Sequence, residues 1–164
     1  MSTRSQIIIK ATEDYEQNVL IYRHSDGYPD GEHGVISTIK ESLKYCWSGG
    51  RLETGDISAS IIMGFHSLKG GVRQWGKEEA KWRQGGNISI EGSIDLSKGI
   101  GIKTIMQDSK IHGAIEYLYI IKADEEAGNW KIIVYNVSKG TAKSGYLGDS
   151  WTTFKRCVLK KVGL

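Results

Sequence analysis

SQIIIKATEDYEQNVLIYRH, residues 5 to 24, decides how the rest of the chain is read. Two runs rich in β-branched and aromatic residues, SQIIIKA at 5–11 and NVLIYRH at 18–24, flank the polar TEDYEQ. Side chains of that shape fit a pleated surface, and the polar spacer suits a reversal, so the stretch predicts a hairpin of two strands. A helical pattern follows in GVISTIKESLKYCW, where Ile36, Ile39, Leu43 and Cys46 or Trp47 recur at helical spacing and SGG at 48–50 closes the run. GDISASIIMGFHSLKGG repeats it, with Ile57, Ile61, Phe65 and Leu68 on one face, Asp56 as N-cap and Gly70–Gly71 as stop.

Three more strand-like runs lie downstream: NISIEGSIDL, AIEYLYIIKA and WKIIVYNVS. In the second, Ile115, Tyr117, Tyr119 and Ile121 alternate with Glu116, Leu118 and Ile120, so both faces of that strand should be at least partly covered. The polar DEEAGN between the last two runs predicts a second hairpin. A further strand is expected at 151–159. Strands at both ends with helices between them point to one α+β domain over residues 1–164, with a mainly antiparallel sheet and two helices packed on one face.

The totals agree with a globular domain. The chain has 164 residues, 39% hydrophobic and 25% charged, enough for a hydrophobic core. No apolar run approaches the ~20 residues of a membrane helix, and the opening MSTRSQIIIKATEDYE does not have the form of a signal peptide. A cytoplasmic protein with no membrane partner is the expectation. Cys46 and Cys157 are too few for a disulfide framework and are expected to be reduced thiols.

Charge is uneven beneath a net +3. Residues 1–34 carry six acids against three bases, and residues 138–164 carry six bases against one acid. The basic C-terminus and the segment VRQWGKEEAKWRQGG, which interleaves Arg73, Lys77, Lys81 and Arg83 with Trp75 and Trp82, are candidates for contact with a nucleic acid or a protein partner. Glycine pairs at 70–71 and 85–86 make residues 71–86 a candidate mobile flap as well.

The densest chemistry follows the second strand. YRHSDGYPDGEH, residues 22–33, holds the chain's one proline and two of its four histidines. Strand, turn and helix in that order would aim the free amides of a helix starting near Gly34 back at the turn, where anions are favoured. Arg23 would clamp a phosphate or carboxylate, Tyr22 or Tyr28 would stack on a ligand, and His24 and Asp26 would orient it. The same stretch supplies metal-ligand types in His24, Asp26, Asp30, Glu32 and His33, so a divalent metal supporting hydrolysis is a second reading. Its spacing matches no HExxH-type signature. A third reading leaves the turn purely structural, with Asp26 in an Asx-turn, Asp30 or Glu32 capping a helix and Arg23 paired with Asp26. RHSDG cannot serve as a catalytic triad, because adjacent residues do not converge, and SGGR and SLKGG lack the form of a phosphate loop.

IYRHSDGYPDG at 21–31 resembles the YRHxDGYP signature of a family of small prokaryotic and viral proteins, and HGAIEYLYIIKAD at 112–124 is similar to that family's HGxIEYLY strand. The two stretches directly match about two dozen residues. Ser25 stands where tryptophan is common, and Ala114 where an acid is common. The resemblance implies a shared fold and turn. A small accessory protein, in the host cytoplasm and acting against host defence if viral, is a separate expectation. The resemblance carries no established activity. Should the strand beginning at Ala114 lie beside the one ending at His24, then His112 and Glu116 would approach the turn, and His24, Asp26 and His112 would form the cluster of a metal-dependent hydrolase.

Overall fold

Three consecutive isoleucines, Ile7, Ile8 and Ile9, are all fully buried, because the strand that carries them has packed layers on both faces. The computed structural model describes residues 3–10, 18–31, 34–46, 54–67, 88–99, 101–124, 126 and 129–146. Its elements are β1 (Ser5–Lys10), β2 (Asn18–Arg23), α1 (Val35–Cys46), α2 (Thr54–Ser67), β3 (Ile88–Ile90), α3 (Ile102–Met106), β4 (Tyr117–Asp124), β5 (Asn129–Asn136) and β6 (Thr141–Tyr146). The strands form one sheet in the order β3-β2-β1-β4-β5-β6. Every neighbouring pair is antiparallel except β1 with β4, which run parallel in register Ser5↔Tyr117 through Lys10↔Lys122. This is the α+β, mainly antiparallel architecture expected, with both anticipated hairpins, β1–β2 and β4–β5, in place.

Strand alternation divides the core into two layers. Ile7, Ile9, Ile21, Tyr119, Ile121 and Trp130 face one side, where Val35, Ile36 and Ile39 of α1 and Ile57 and Ile61 of α2 cover them. Spacings of three and four residues put each helical set on one face, as the periodicity predicts. Ile8, Leu20, Leu118 and Ile120 face the other side, against Ile94, Leu96, Ile102, Ile105, Ile111 and Ile115. Each fully buried isoleucine contributes roughly 1.5–3 kcal/mol relative to exposure. The sheet is therefore a sandwich filling. The α1–α2 pair forms one layer, and the described residues of the stretch 91–116, including α3, form the other.

Several boundaries differ from expectation for identifiable reasons. The run NISIEGSIDL does not stay a strand: β3 ends at Ile90, and Gly92 takes a φ of 88°, a left-handed turn open to glycine. Beyond it the chain still follows β2, with Glu91 N–H donating to Leu20 O and Leu20 N–H to Gly92 O. The Asn18 side chain replaces a strand there: its Nδ2 donates to Ile94 O at 2.9 Å and its Oδ1 accepts from Ile94 N at 2.9 Å. Helix α2 begins at Thr54, so Asp56 lies inside the first turn and is not the cap. The strand expected at 151–159, the segment 71–86 and the basic C-terminus beyond Tyr146 lie outside the described residues.

The turn after β2 is packed from below and closed from above. A Cβ on Gly27 would meet Thr3 O at 2.7 Å and Ser5 Oγ at 2.8 Å, so no larger residue fits against β1 at that point. Gly27 N–H donates to Thr3 O at 2.8 Å, and the buried Tyr119 hydroxyl donates to Gly27 O at 2.7 Å. Asp26 sits at φ 57° and accepts the Tyr28 hydroxyl at 3.1 Å.

Candidate functional site

Alternation along β2 separates residues that the sequence reads as one site. Tyr22 leaves the strand toward the 91–116 layer, where it packs with Leu20 and Ile8, whereas Arg23 leaves toward the helical layer with Ile21. Arg23 is fully buried, its Nε donates to Ser25 O at 2.9 Å, and its charge acts on the buried Tyr119 phenol. An anion clamp at the outer corner is thus not where the guanidinium lies.

The amides near Gly34 are committed as well. Gly34 N–H donates to Gly31 O, Val35 N–H to Tyr28 O at 2.9 Å and Ile36 N–H to Pro29 O. The carbonyls of DGYPDG therefore cap α1 and take the amides proposed for an anion. Gly34 is required at this point because a Cβ would lie 2.5 Å from Asp30 O and 2.6 Å from Pro29 O. Asp30 is exposed, with its carboxylate 4.0 Å from Lys143 Nζ on β6. Among the described residues no group of three or more His, Cys, Asp and Glu side chains is placed to hold a metal ion. Glu32 and His33 lie outside the described residues.

What the fold does assemble is a second cluster, centred on Tyr22. The His112 ring stacks on it with centroids 4.5 Å apart and planes 19° apart. The Tyr22 hydroxyl and His24 Nδ1 are 3.0 Å apart. His112 Nε2 contacts Glu91 Oε2 at 2.7 Å, and the other carboxylate oxygen of Glu91 accepts from Gln6 Nε2 at 3.0 Å. Two histidines separated by eighty-eight positions in the chain, 24 and 112, thus share one tyrosine.

Gln6 explains how His112 arrives. β1 lies between β2 and β4, so the strand that follows His112 does not touch the one that ends before His24. Gln6 is instead paired with Tyr22 in the sheet and is fully buried. Its Nε2 also donates to Lys110 O at 2.9 Å, and its Oε1 accepts from His112 N at 2.9 Å. One amide therefore fixes the Glu91 carboxylate and the backbone on either side of Ile111. That pins the imidazole over Tyr22.

Hydrogen-bond chemistry sets the tautomer of His112. A carboxylate only accepts, so Nε2 carries the proton of the Glu91 contact, and the lone pair of the neutral ring sits on Nδ1. That nitrogen makes no hydrogen bond among the described residues, nor does His24 Nε2. The corner is open: the side chain of His112 is 42% exposed and that of Glu91 24%.

Of the residues singled out in the sequence, Tyr22, His24 and His112 come together. Asp26 and Tyr28 fasten each other within the turn, Arg23 is buried on the opposite face, and Glu116 is exposed with its backbone N–H on Arg4 O. Gln6 and Glu91 were missed. The one legible signal for Gln6 is a polar residue beside a buried isoleucine run, and Glu91 has none. Among the described residues no helix is long and apolar enough to cross a membrane. Comparison with protein-family models, curated proteins and solved structures yields no match to the chain.

Proposed function

We propose that the chain binds a phosphate-bearing small molecule, a nucleotide fitting best, at the corner formed by Tyr22, His24, Glu91 and His112. The observation that carries this reading is the pair of imidazoles held around one phenol, each anchored through one nitrogen and each with the other nitrogen making no hydrogen bond among the described residues. Imidazole nitrogens hydrogen-bond phosphate oxygens and gain a positive charge when protonated. The Tyr22–His112 stack supplies the aromatic surface that a base uses. Lys110 adds a cation above Ser93, whose carbonyl accepts from its Nζ. The site differs from the one read in the sequence by excluding Arg23 and the helix amides and by including Glu91.

Calorimetric titration with uridine 3′-phosphate, adenosine 5′-phosphate and inorganic phosphate tests it. At least one nucleotide should bind more tightly than phosphate alone and raise the melting temperature. Tyr22→Ala and His24→Gln should each weaken that binding at least tenfold with the fold intact. Equal affinity in both variants, or no binding by the wild type, ends the reading.

A further inference from the structure

We infer that His112 and His24 are a general base and general acid that together cleave a ribonucleotide 3′,5′-phosphodiester through its own 2′-hydroxyl, an activity that rests on the ligand-binding reading above. Three features of the corner lead there. The Glu91–His112 contact, 2.7 Å long, is a carboxylate–imidazole dyad that fixes one tautomer and leaves Nδ1 as the proton acceptor. His24, tied to the Tyr22 hydroxyl through Nδ1, presents Nε2 as the second proton-transfer atom. Both imidazoles contact the same side chain, with ring centroids 6.1 Å (His24) and 4.5 Å (His112) from that of Tyr22, so the two proton-transfer groups flank one tyrosine.

The nucleophile must come from the substrate. Among the described residues neither imidazole carries a serine, threonine or cysteine in hydrogen-bond contact. A ribonucleotide diester supplies its own oxygen beside the phosphorus, so it needs only a base and an acid. Neutral His112 Nδ1 takes the proton of the 2′-hydroxyl as the 2′-oxygen attacks phosphorus and forms the new P–O bond. The P–O5′ bond breaks, and the departing 5′-oxygen takes the proton of protonated His24. The products are a 2′,3′-cyclic phosphate and a 5′-hydroxyl. His112 is left protonated and His24 neutral, and exchange with water restores both. Glu91 and Gln6 act through His112 and are positioning residues.

The probe is uridylyl-(3′,5′)-adenosine, incubated with the full chain in the presence of EDTA, with products separated by chromatography. Uridine 2′,3′-cyclic phosphate and adenosine should appear, and the analogue lacking the 2′-hydroxyl should bind but stay intact. His112→Gln and His24→Gln should each lower the rate by about a hundredfold or more, the usual worth of one proton-transfer group. Glu91→Gln should lower kcat with KM unchanged. Binding of uridine 3′-phosphate is measured on the same preparations. Bound nucleotide without cyclic product overturns the cleavage activity and leaves the binding reading standing, whereas absence of both removes the two together. Equal rates in wild type and both histidine variants, or cleavage abolished by EDTA, also overturns it.

Discussion

Tyr22 and Arg23 are adjacent in the chain and belong to opposite faces of the sheet, the tyrosine half-buried beside His112 and the arginine fully buried beneath the helical layer. The division assigns them different work. Arg23 is held by Ser25 O and by its position under the turn, so its substitution acts on folding. Arg23→Met should cost about 2 kcal/mol, the scale of a charge-assisted hydrogen bond lost with the packing retained. Urea unfolding measures it. Nucleotide affinity of the folded fraction should be unchanged, and a selective loss of affinity would return Arg23 to the site.

His112 should show the reverse pattern. Its hydrogen bond to Glu91 is short but only partly shielded from solvent, so it stabilises the fold by about 1 kcal/mol. His112→Gln should shift the melting temperature only slightly while weakening nucleotide binding at least tenfold. A large drop in stability would make the imidazole a structural part of the 91–116 layer.

Gly27 should be the least replaceable residue of the turn. A Cβ there would fall 2.7 Å from a backbone oxygen of Thr3, which has no flexible end to move aside. Gly27→Ala should cost about 1–3 kcal/mol through overpacking. Gly113, with nothing within 4 Å of its Cβ position, is the control. Gly113→Ala should be neutral or slightly stabilising, because it only restricts the unfolded chain. Equal unfolding midpoints for the two variants would mean that the turn yields where the packing says it cannot.

The sheet was legible because β1, β2, β4 and β5 are long runs of β-branched and aromatic residues separated by polar turns. β6, TAKSGY, escaped notice because its Ala, Lys, Ser and Gly carry little strand preference, and its pairing with β5 supplies what propensity does not. The helix α3, only five residues long, gives too short a period to read. At the site, a motif read as contiguous letters hides strand alternation, which sends Tyr22 and Arg23 apart. Conversely, the Tyr22–His112 stack depends on a layer crossing from β3 to β4 over the sheet, and on Gln6 receiving it. Non-local contacts of that kind leave no spacing in the sequence.

Stability should fall at alkaline pH through a buried phenol. Burial, followed by the charge of Tyr117, pushes the Tyr119 phenol well above its ordinary 10.0, and burial also raises Tyr117 and Tyr135. Lys10 is shifted the other way, lowered by burial and by Lys122 across the β1–β4 pair. Below pH 10 the Tyr119 phenol is neutral in folded and unfolded chains alike, so its contribution to stability is fully present there. Above pH 10 the unfolded chain ionises first, and stability falls as pH rises toward the folded value. Tyr119→Phe isolates this effect, because Lys10 and the other two phenols are common to both proteins. At neutral pH the variant should be less stable by about 1–2 kcal/mol, since the carbonyl of Gly27 loses the hydroxyl that serves it at 2.7 Å. As pH rises beyond 10 the gap should narrow, the wild type losing stability more steeply than the variant. Denaturant midpoints across that range measure it, and parallel curves would show that Tyr119 ionises as freely in the folded protein as outside it.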